Sequence, residues 1–409
     1  MTSSRILAIV MAGGEGKRLH PLTAEHSKPA VPFGGRYRIV DFVLSNLLNS
    51  GIHSIYLLVQ YKSQSLIEHA NQAWVLSPIL PDQFVTIVPP QMHEGPKWYQ
   101  GTADAVFQNL RLIERHSPDL VAVFGADHIY RMDVRQMTRF HLQHNADVTL
   151  SAIPVPIAQA NAFGVVVADP EGRITQFQEK PANPSPMPQD PSRAFCSMGN
   201  YLFKTEVLVE ALREASRRGE FDFGRHVLPR LLATHRLYAY NFEDNHVPGV
   251  RDYEEQAYWR DVGTLDAYFN ATQDVLGNEP RFNLFNPYWP ICSSTYQGPT
   301  ARIQEGHIFN SIVASGTLIK GAIVRNSVIR REVLLEEDVE VTDCVILDHN
   351  IIRRGARLNR VIIDSFNTIG AGECIGFDLE HDRQRFQVTE SGIAVLPHGQ
   401  FDASSVRYF

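Results

Sequence analysis

Short apolar runs recur along the first two thirds of the chain, each followed by a stretch with helical spacing. Residues 6–12, 54–59, 84–88, 120–124 and 148–155 are brief, rich in β-branched side chains and bounded by polar residues, which predicts buried strands. Residues 37–50, 64–70, 102–115 and 134–145 predict helices between them. Strands that alternate with helices predict an α/β fold with a mostly parallel, mixed sheet covered on both faces. Such sheets bind ligands beyond the carboxyl ends of their strands.

A different rhythm begins near residue 300. In steps of six, Val333, Val339, Val345, Ile351, Ile363, Ile369 and Ile375 are apolar and β-branched, with Arg357 as the one polar member. Ile323, Ile329, Leu335, Val341 and Leu347 form a second phase with the same step. A six-residue step predicts a β-helix, in which each short strand stacks on the coil before it. Asparagine and proline accumulate at 278–299, so the expected division is a domain at 1–277, a linker at 278–299 and a β-helix at 300–409. The proline-rich stretch 181–191 is expected to be a surface loop within the first domain.

The chain has 409 residues and a formal net charge of −7, which argues against a large nucleic-acid footprint. Cys196, Cys292, Cys344 and Cys374 are far apart and form no C-x-x-C pair, so a reducing cytoplasm is expected and a zinc site is not. Arg5 and the apolar run 6–12 resemble the start of a signal peptide, but a glycine loop follows at once instead of a cleavage site. No apolar run approaches the ~20 residues that span a bilayer.

That loop begins GGEGKRLHPLTAEHSKPAVP, from Gly13 to Pro32. Glycines directly after a buried strand let backbone N–H groups approach a ligand, and Lys17, Arg18 and Lys28 suit a polyphosphate. It is not a P-loop, because Gly16-Lys17 is followed by Arg18, and it is not the dinucleotide fingerprint, because Gly16 is followed by Lys17-Arg18-Leu19. Further along, Gly101 or Thr102 caps a predicted helix whose N-terminus suits phosphate. Asp127 ends a buried strand beyond a small Gly-Ala pair, where an acid is suited to Mg²⁺, and Asp261 is a second candidate. Glu179-Lys180 follows a strand-like run at 174–177 and pairs a hydroxyl acceptor with a cation; it reads equally well as an exposed ion pair.

Together these pieces resemble the sugar-nucleotide pyrophosphorylases, whose signature is G-G-x-G-x-R-L-x-P-L-T-x(4)-K-P. The series W-Y-x-G-T-A-D-A, G-A-D-H-I-Y, A-F-G-V, E-K-P-A-N-P, S-M-G-N-Y and Y-W-R-D-V-G-T resembles the bacterial glucose-1-phosphate adenylyltransferases. The resemblance runs nearly end to end. It implies a Rossmann-like nucleotidyltransferase domain followed by a left-handed parallel β-helix. It implies transfer of the adenylyl group of ATP to glucose 1-phosphate, with Mg²⁺ as cofactor, in a homotetramer feeding α-glucan synthesis. Ala12, Gly13 and Gly14 would then approach ATP through their backbone, with Gln91 and Gly101 near the adenine. Arg18 and Lys28 would hold the triphosphate, and Asp127 and Asp261 would bind Mg²⁺. Tyr99, Gly164, Glu179, Lys180 and Ser197 would hold glucose 1-phosphate.

The resemblance departs at Ala24-Glu25-His26-Ser27, where the enterobacterial members have basic residues for a sugar-bisphosphate activator. Arg38 is retained, and Arg383 and Arg385 offer further phosphate contacts. Allosteric control is therefore expected, with fructose 1,6-bisphosphate not the strong activator. Two alternatives remain at this stage: a non-catalytic regulatory subunit of the same family, and an enzyme that uses UTP or dTTP.

Overall fold

The computed structural model describes residues 4–400 apart from 78, 92–94 and 96. Three expected strands fall where the apolar runs place them, at Ile6–Ala12, Ser54–Val59 and Phe84–Val88. Two others extend slightly, to Leu120–Gly125 and Val148–Pro156. Ile6–Ala12 lies between Ser54–Val59 and Leu120–Gly125, parallel to both, and Phe84–Val88 adds a parallel edge. Alternation along the strand sorts its side chains to opposite faces. Leu7 and Ile9 join one buried cluster with Tyr56, Leu58, Val121 and Val123; Ala8, Val10 and Ala12 join another with Ile55, Leu57 and Phe124.

The other half of the sheet rests on Arg193–Lys204, a long strand that the apolar pattern did not reveal. It runs antiparallel to Leu120–Gly125, to Val148–Pro156 and to Gly164–Ala168. Its pairing with Val148–Pro156 shifts register between Ser197 and Tyr201. Bulges of this kind re-aim side chains beside functional sites.

The helices begin or break where side chains intervene. The expected helix at 37–50 spans only Val40–Asn49. Tyr37 and Arg38 instead pair antiparallel with Phe33 and Pro32, around Gly34 and Gly35, both at positive φ. The expected helix at 102–115 divides into Thr102–Phe107 and Leu110–His116. At the division, the Asn109 amide donates to the Ala105 carbonyl at 2.8 Å and to the Tyr99 hydroxyl at 3.0 Å. The helices expected at 64–70 and 134–145 span Gln64–Ala73 and Val134–Gln143.

From Arg302 onward the chain winds into a parallel β-helix with three faces. Val328 lies beside Val345, and Val345 beside Ile362, a rise of 17 residues per coil. The residues that fill its interior therefore advance by six, six and five: Val324, Ile329, Leu335, Val341, Ile346, Ile352, Leu358, Ile363, Ile369 and Ile375 share one cluster. The corners keep the same count. Asn326, Glu332, Asp338, Asp343, His349, Gly355, Arg360, Phe366 and Gly372 all adopt positive φ. The strict six-residue step slips out of the interior row, so Val345 faces a different cluster and Arg357 is exposed.

That different cluster joins the two parts of the molecule. Phe33, Phe42, Tyr268 and Phe282 pack with Val345, Leu347, Ile362 and Val395 of the β-helix. Burial of each such side chain contributes about 1.5–3 kcal/mol. Arg330 extends the seam in polar form: it pairs with Asp348 at 2.9 Å and donates to the carbonyls of Phe33 and Tyr37.

Candidate active site

A cleft of about 520 Å³ opens at the carboxyl ends of the parallel strands. Gly13, Gly14, Arg18 and Lys28 line it from the glycine loop; Tyr99, Gly101, Asp127 and Asp261 line it from later turns. Gly164, Glu179, Lys180 and Ser197 line it from the antiparallel half of the sheet. The side chain of Ala12 is in the core, which leaves its backbone next to Gly13 at the end of the strand, and Gln91 is exposed, folded onto the carbonyl of Pro89 at 2.8 Å and absent from the cleft wall.

Local chain geometry sets each of these positions. Gly16 precedes the short turn Lys17–Leu19 with φ +68°, and a Cβ there would lie 2.9 Å from the Lys28 Cβ. Only glycine takes this conformation and this approach without strain. Tyr99 is clamped by Gln60, whose side-chain oxygen accepts its amide at 2.6 Å. Lys180 has φ +47°, and its amide donates to the carbonyl of Phe163 at 3.1 Å, next to Gly164. A Cβ on Gly164 would lie 2.6 Å from the ring of Phe177. Burial raises the Glu179 carboxyl above the ordinary glutamate value, with Lys180, 3.7 Å away, opposing the shift. The Ser197 hydroxyl accepts the amide of Gly199 at 3.2 Å.

The acidic centre comes from a second small sheet. Trp259–Asp261 pairs antiparallel with His128–Tyr130, with Asp261 opposite His128. This brings Asp127, His128 and Asp261 together, with ligand atoms within 4.8 Å of one another. The donor set fits a divalent cation: two carboxylates from different chain segments, and glycines that keep the space over them open. A Cβ on Gly125 would lie 3.2 Å from an Asp127 oxygen, and one on Gly263 3.0 Å from an Asp261 oxygen. The Nδ1 of His128 is buried without a hydrogen-bond partner among the described residues.

Lys28 sits between the two acids. Its ammonium donates to Asp261 Oδ1 at 2.7 Å and to Asp127 Oδ2 at 3.0 Å. Burial disfavours its charge, but Asp127 and Asp261 outweigh that and hold its pKa above the ordinary lysine value. Burial likewise opposes ionisation of Asp127, yet His128 and Lys28 hold its carboxyl well below the usual range. Arg18 reaches Asp261 Oδ2 at 4.0 Å from a largely exposed position.

Among the residues not expected at the cleft are three that bear polar side chains, Gln60, His128 and Asp222. Gln60 and Asp222 line it, and His128 adjoins Asp127. Adjacency to Asp127 is a signal for His128, whereas Gln60 and Asp222 stand in no motif with a recognised spacing. The effector candidates are scattered. Arg38 donates to the carbonyls of Ala30 and Ser65, and burial, with Arg330 close by, pushes its guanidinium down to about 10. Arg383 pairs with Glu380 and Arg385 with Glu373, in the last part of the β-helix.

Comparison with known proteins agrees with this geometry. The family model described as nucleotidyl transferase matches residues 7–278, and the one described as GlmU-like, C-terminal hexapeptide matches 299–396. The chain is 55% identical over 394 residues to the glucose-1-phosphate adenylyltransferase of Thermodesulfovibrio yellowstonii, covering 96% of each. It is 47% identical over 414 residues to that of Thermus thermophilus, covering 98% of this chain and 99% of the relative. It is 46% identical over 405 residues to that of an Anaeromyxobacter species, covering 96% and 98%. The chain belongs to the nucleotidyltransferase family, within its glucose-1-phosphate adenylyltransferase branch. Its C-terminal part is accordingly a left-handed β-helix of the hexapeptide-repeat kind.

Proposed function

We propose that the protein transfers the adenylyl group of ATP to α-D-glucose 1-phosphate, forming ADP-glucose and releasing pyrophosphate. The observation that carries this reading is the meeting of Arg18, Lys28, Asp127 and Asp261 in one cleft with Glu179, Lys180 and Ser197. In this reading a phosphate oxygen of glucose 1-phosphate attacks the α-phosphorus of ATP in line, and the bond to the β-phosphate breaks. The attacking phosphate is already ionised, so the reaction needs no general base. The difficulty is the repulsion between two anions, and positioning together with fixed positive charge overcomes it.

Ala12, Gly13, Gly14 and Gly101 would let the nucleotide approach the backbone, and Arg18 and Lys28 would stabilise the charge that develops on pyrophosphate. Tyr99, Gly164, Glu179, Lys180 and Ser197 would hold the sugar phosphate. Gln91 is left out of the site. Asp127 and Asp261 would hold Mg²⁺, a hard cation that takes carboxylate oxygens and would supply further positive charge to the phosphates.

Control by phosphorylated metabolites is supported by Arg38, a cation at the junction with the β-helix and close to Arg330 and Arg331. Family membership supports a homotetramer, a cytoplasmic location, a role in α-glucan synthesis and a division into domains near 278–299. No helix among the described residues is long and apolar enough to cross a membrane.

The test is pyrophosphate release from glucose 1-phosphate and Mg²⁺ with ATP, UTP, dTTP, CTP or GTP supplied singly. Preference for ATP is expected. Preference for UTP or dTTP would overturn the nucleotide assignment, and silence with all five from folded protein would favour a regulatory subunit.

A further inference from the structure

Lys28 and a divalent cation would compete for the same place. The lysine side chain is almost fully buried, and its ammonium contacts only one oxygen of each acid, Asp127 Oδ2 and Asp261 Oδ1. A buried ammonium needs counter-charges, and two carboxylates held this close need a cation. In the substrate-free enzyme each satisfies the other. A Mg²⁺ ion sits about 2.0–2.1 Å from its oxygen ligands, so a cation held by these two acids lies beside the ammonium, and the like charges repel while competing for the same two carboxylates.

We propose that Lys28 is a built-in counter-ion which the divalent cation must displace, and that the displaced ammonium is taken up by the triphosphate. This rests on the reading that Asp127 and Asp261 hold the cation. The stem of Lys28 is fixed where its Cβ faces Gly16 across the glycine loop, so the far end of the side chain makes the move. Cation alone pays the cost of stripping Lys28 from its partners without giving it a new one. Cation and nucleotide together provide that partner, so their binding is coupled and reciprocal. Lys28 thereby keeps the acidic centre charge-balanced when it is empty and makes it take cation and nucleotide as a pair.

The probe is Mn²⁺, titrated and followed by electron paramagnetic resonance on the full chain, with α,β-methylene-ATP as a nucleotide that cannot react. Without nucleotide, Lys28→Met is expected to bind Mn²⁺ at least about tenfold more tightly than wild type. Adding the nucleotide analogue is expected to tighten Mn²⁺ binding strongly in wild type and much less in the variant. Equal nucleotide-free affinity in wild type and Lys28→Met overturns the proposal, and so does a wild-type affinity that ignores the nucleotide. Lys28→Gln serves if the methionine variant does not fold. Asp127→Asn separates the two failures: if it leaves Mn²⁺ binding unchanged, the assignment of the cation to these acids is what fails.

Discussion

A Cβ on Gly101 would lie 2.3 Å from the carbonyl oxygen of Phe221. That carbonyl also accepts the amides of Ala103 and Asp104, at 2.8 and 3.1 Å, and so caps the helix Thr102–Phe107. Thr102 adds a contact to Asp222 at 3.2 Å. Gly101 is extended, so close approach and not backbone conformation requires glycine here. Gly101→Ala should push apart two walls of the cleft. The expected outcome is a loss of about 10²-fold in kcat/KM for ATP, with the circular dichroism spectrum retained. Near wild-type kcat/KM would contradict this.

Glu179 is held at a cost in stability. Its half-buried carboxyl has a pKa above the unfolded value, so the folded protein binds that proton more tightly than the unfolded chain does. The stability this contributes is present below the unfolded pKa and is lost as pH rises through the folded one. Glu179→Gln should therefore raise the Tm at neutral pH relative to wild type, and the gain should shrink toward about pH 4. The same change should raise KM for glucose 1-phosphate by about tenfold or more, through loss of a charged hydrogen-bond acceptor. An unchanged KM would remove Glu179 from the sugar-phosphate site.

Asp147 shows the opposite sign. Burial opposes its ionisation, but Arg236 and Lys204 hold its carboxyl well below the ordinary range, with contacts of 3.0 and 2.8 Å. The stability from this cluster is present above the unfolded aspartate pKa and is lost as pH falls through the folded one. Asp147→Asn should cost about 1–2 kcal/mol at neutral pH, a figure reduced because Arg236 is partly exposed. Thermal melts from pH 7 down to about pH 3 should show the gap between variant and wild type closing. A gap that stays constant with pH would rule out the ionic origin.

In the β-helix, Arg357 and Ile363 both stand on the six-residue step, but only Ile363 faces the interior. Arg357 is exposed, 3.2 Å from Glu340 and above the ring of Phe377. Ile363→Ala should destabilise by about 2–5 kcal/mol, and Arg357→Ala by less than about 1 kcal/mol. Chemical denaturation of both variants checks the ranking, and equal losses would contradict the assignment of the interior row.

This pair also marks what the sequence could and could not disclose. Strands such as Ile6–Ala12 were legible because both of their faces are buried and their composition is continuously apolar. The β-helix was legible as a short repeat, but its true advance of six, six and five was hidden. Residues such as Val345 are apolar because they meet the catalytic domain, and they imitate the interior row. Arg193–Lys204 was missed because Ser197, Gly199 and Asn200 interrupt its pattern where the strand bulges beside the cleft. Most of the site was legible through motifs, whereas the contact of Lys28 with both acids depends on pairing between segments more than a hundred residues apart. Gln91 stands on a loop, where sequence position says little about which wall a side chain joins, and its amide turns back onto Pro89.

The central claim is that Asp127 belongs to the centre at which ATP and glucose 1-phosphate react. Initial rates of pyrophosphate release, measured side by side for wild type and Asp127→Asn with ATP, glucose 1-phosphate and Mg²⁺, test it most directly. Wild type should turn over, and the variant should be slower by at least about 10²-fold, as expected when charge stabilisation is removed from a reaction centre. A variant as fast as wild type, or a folded wild type that releases no pyrophosphate from ATP, would contradict it.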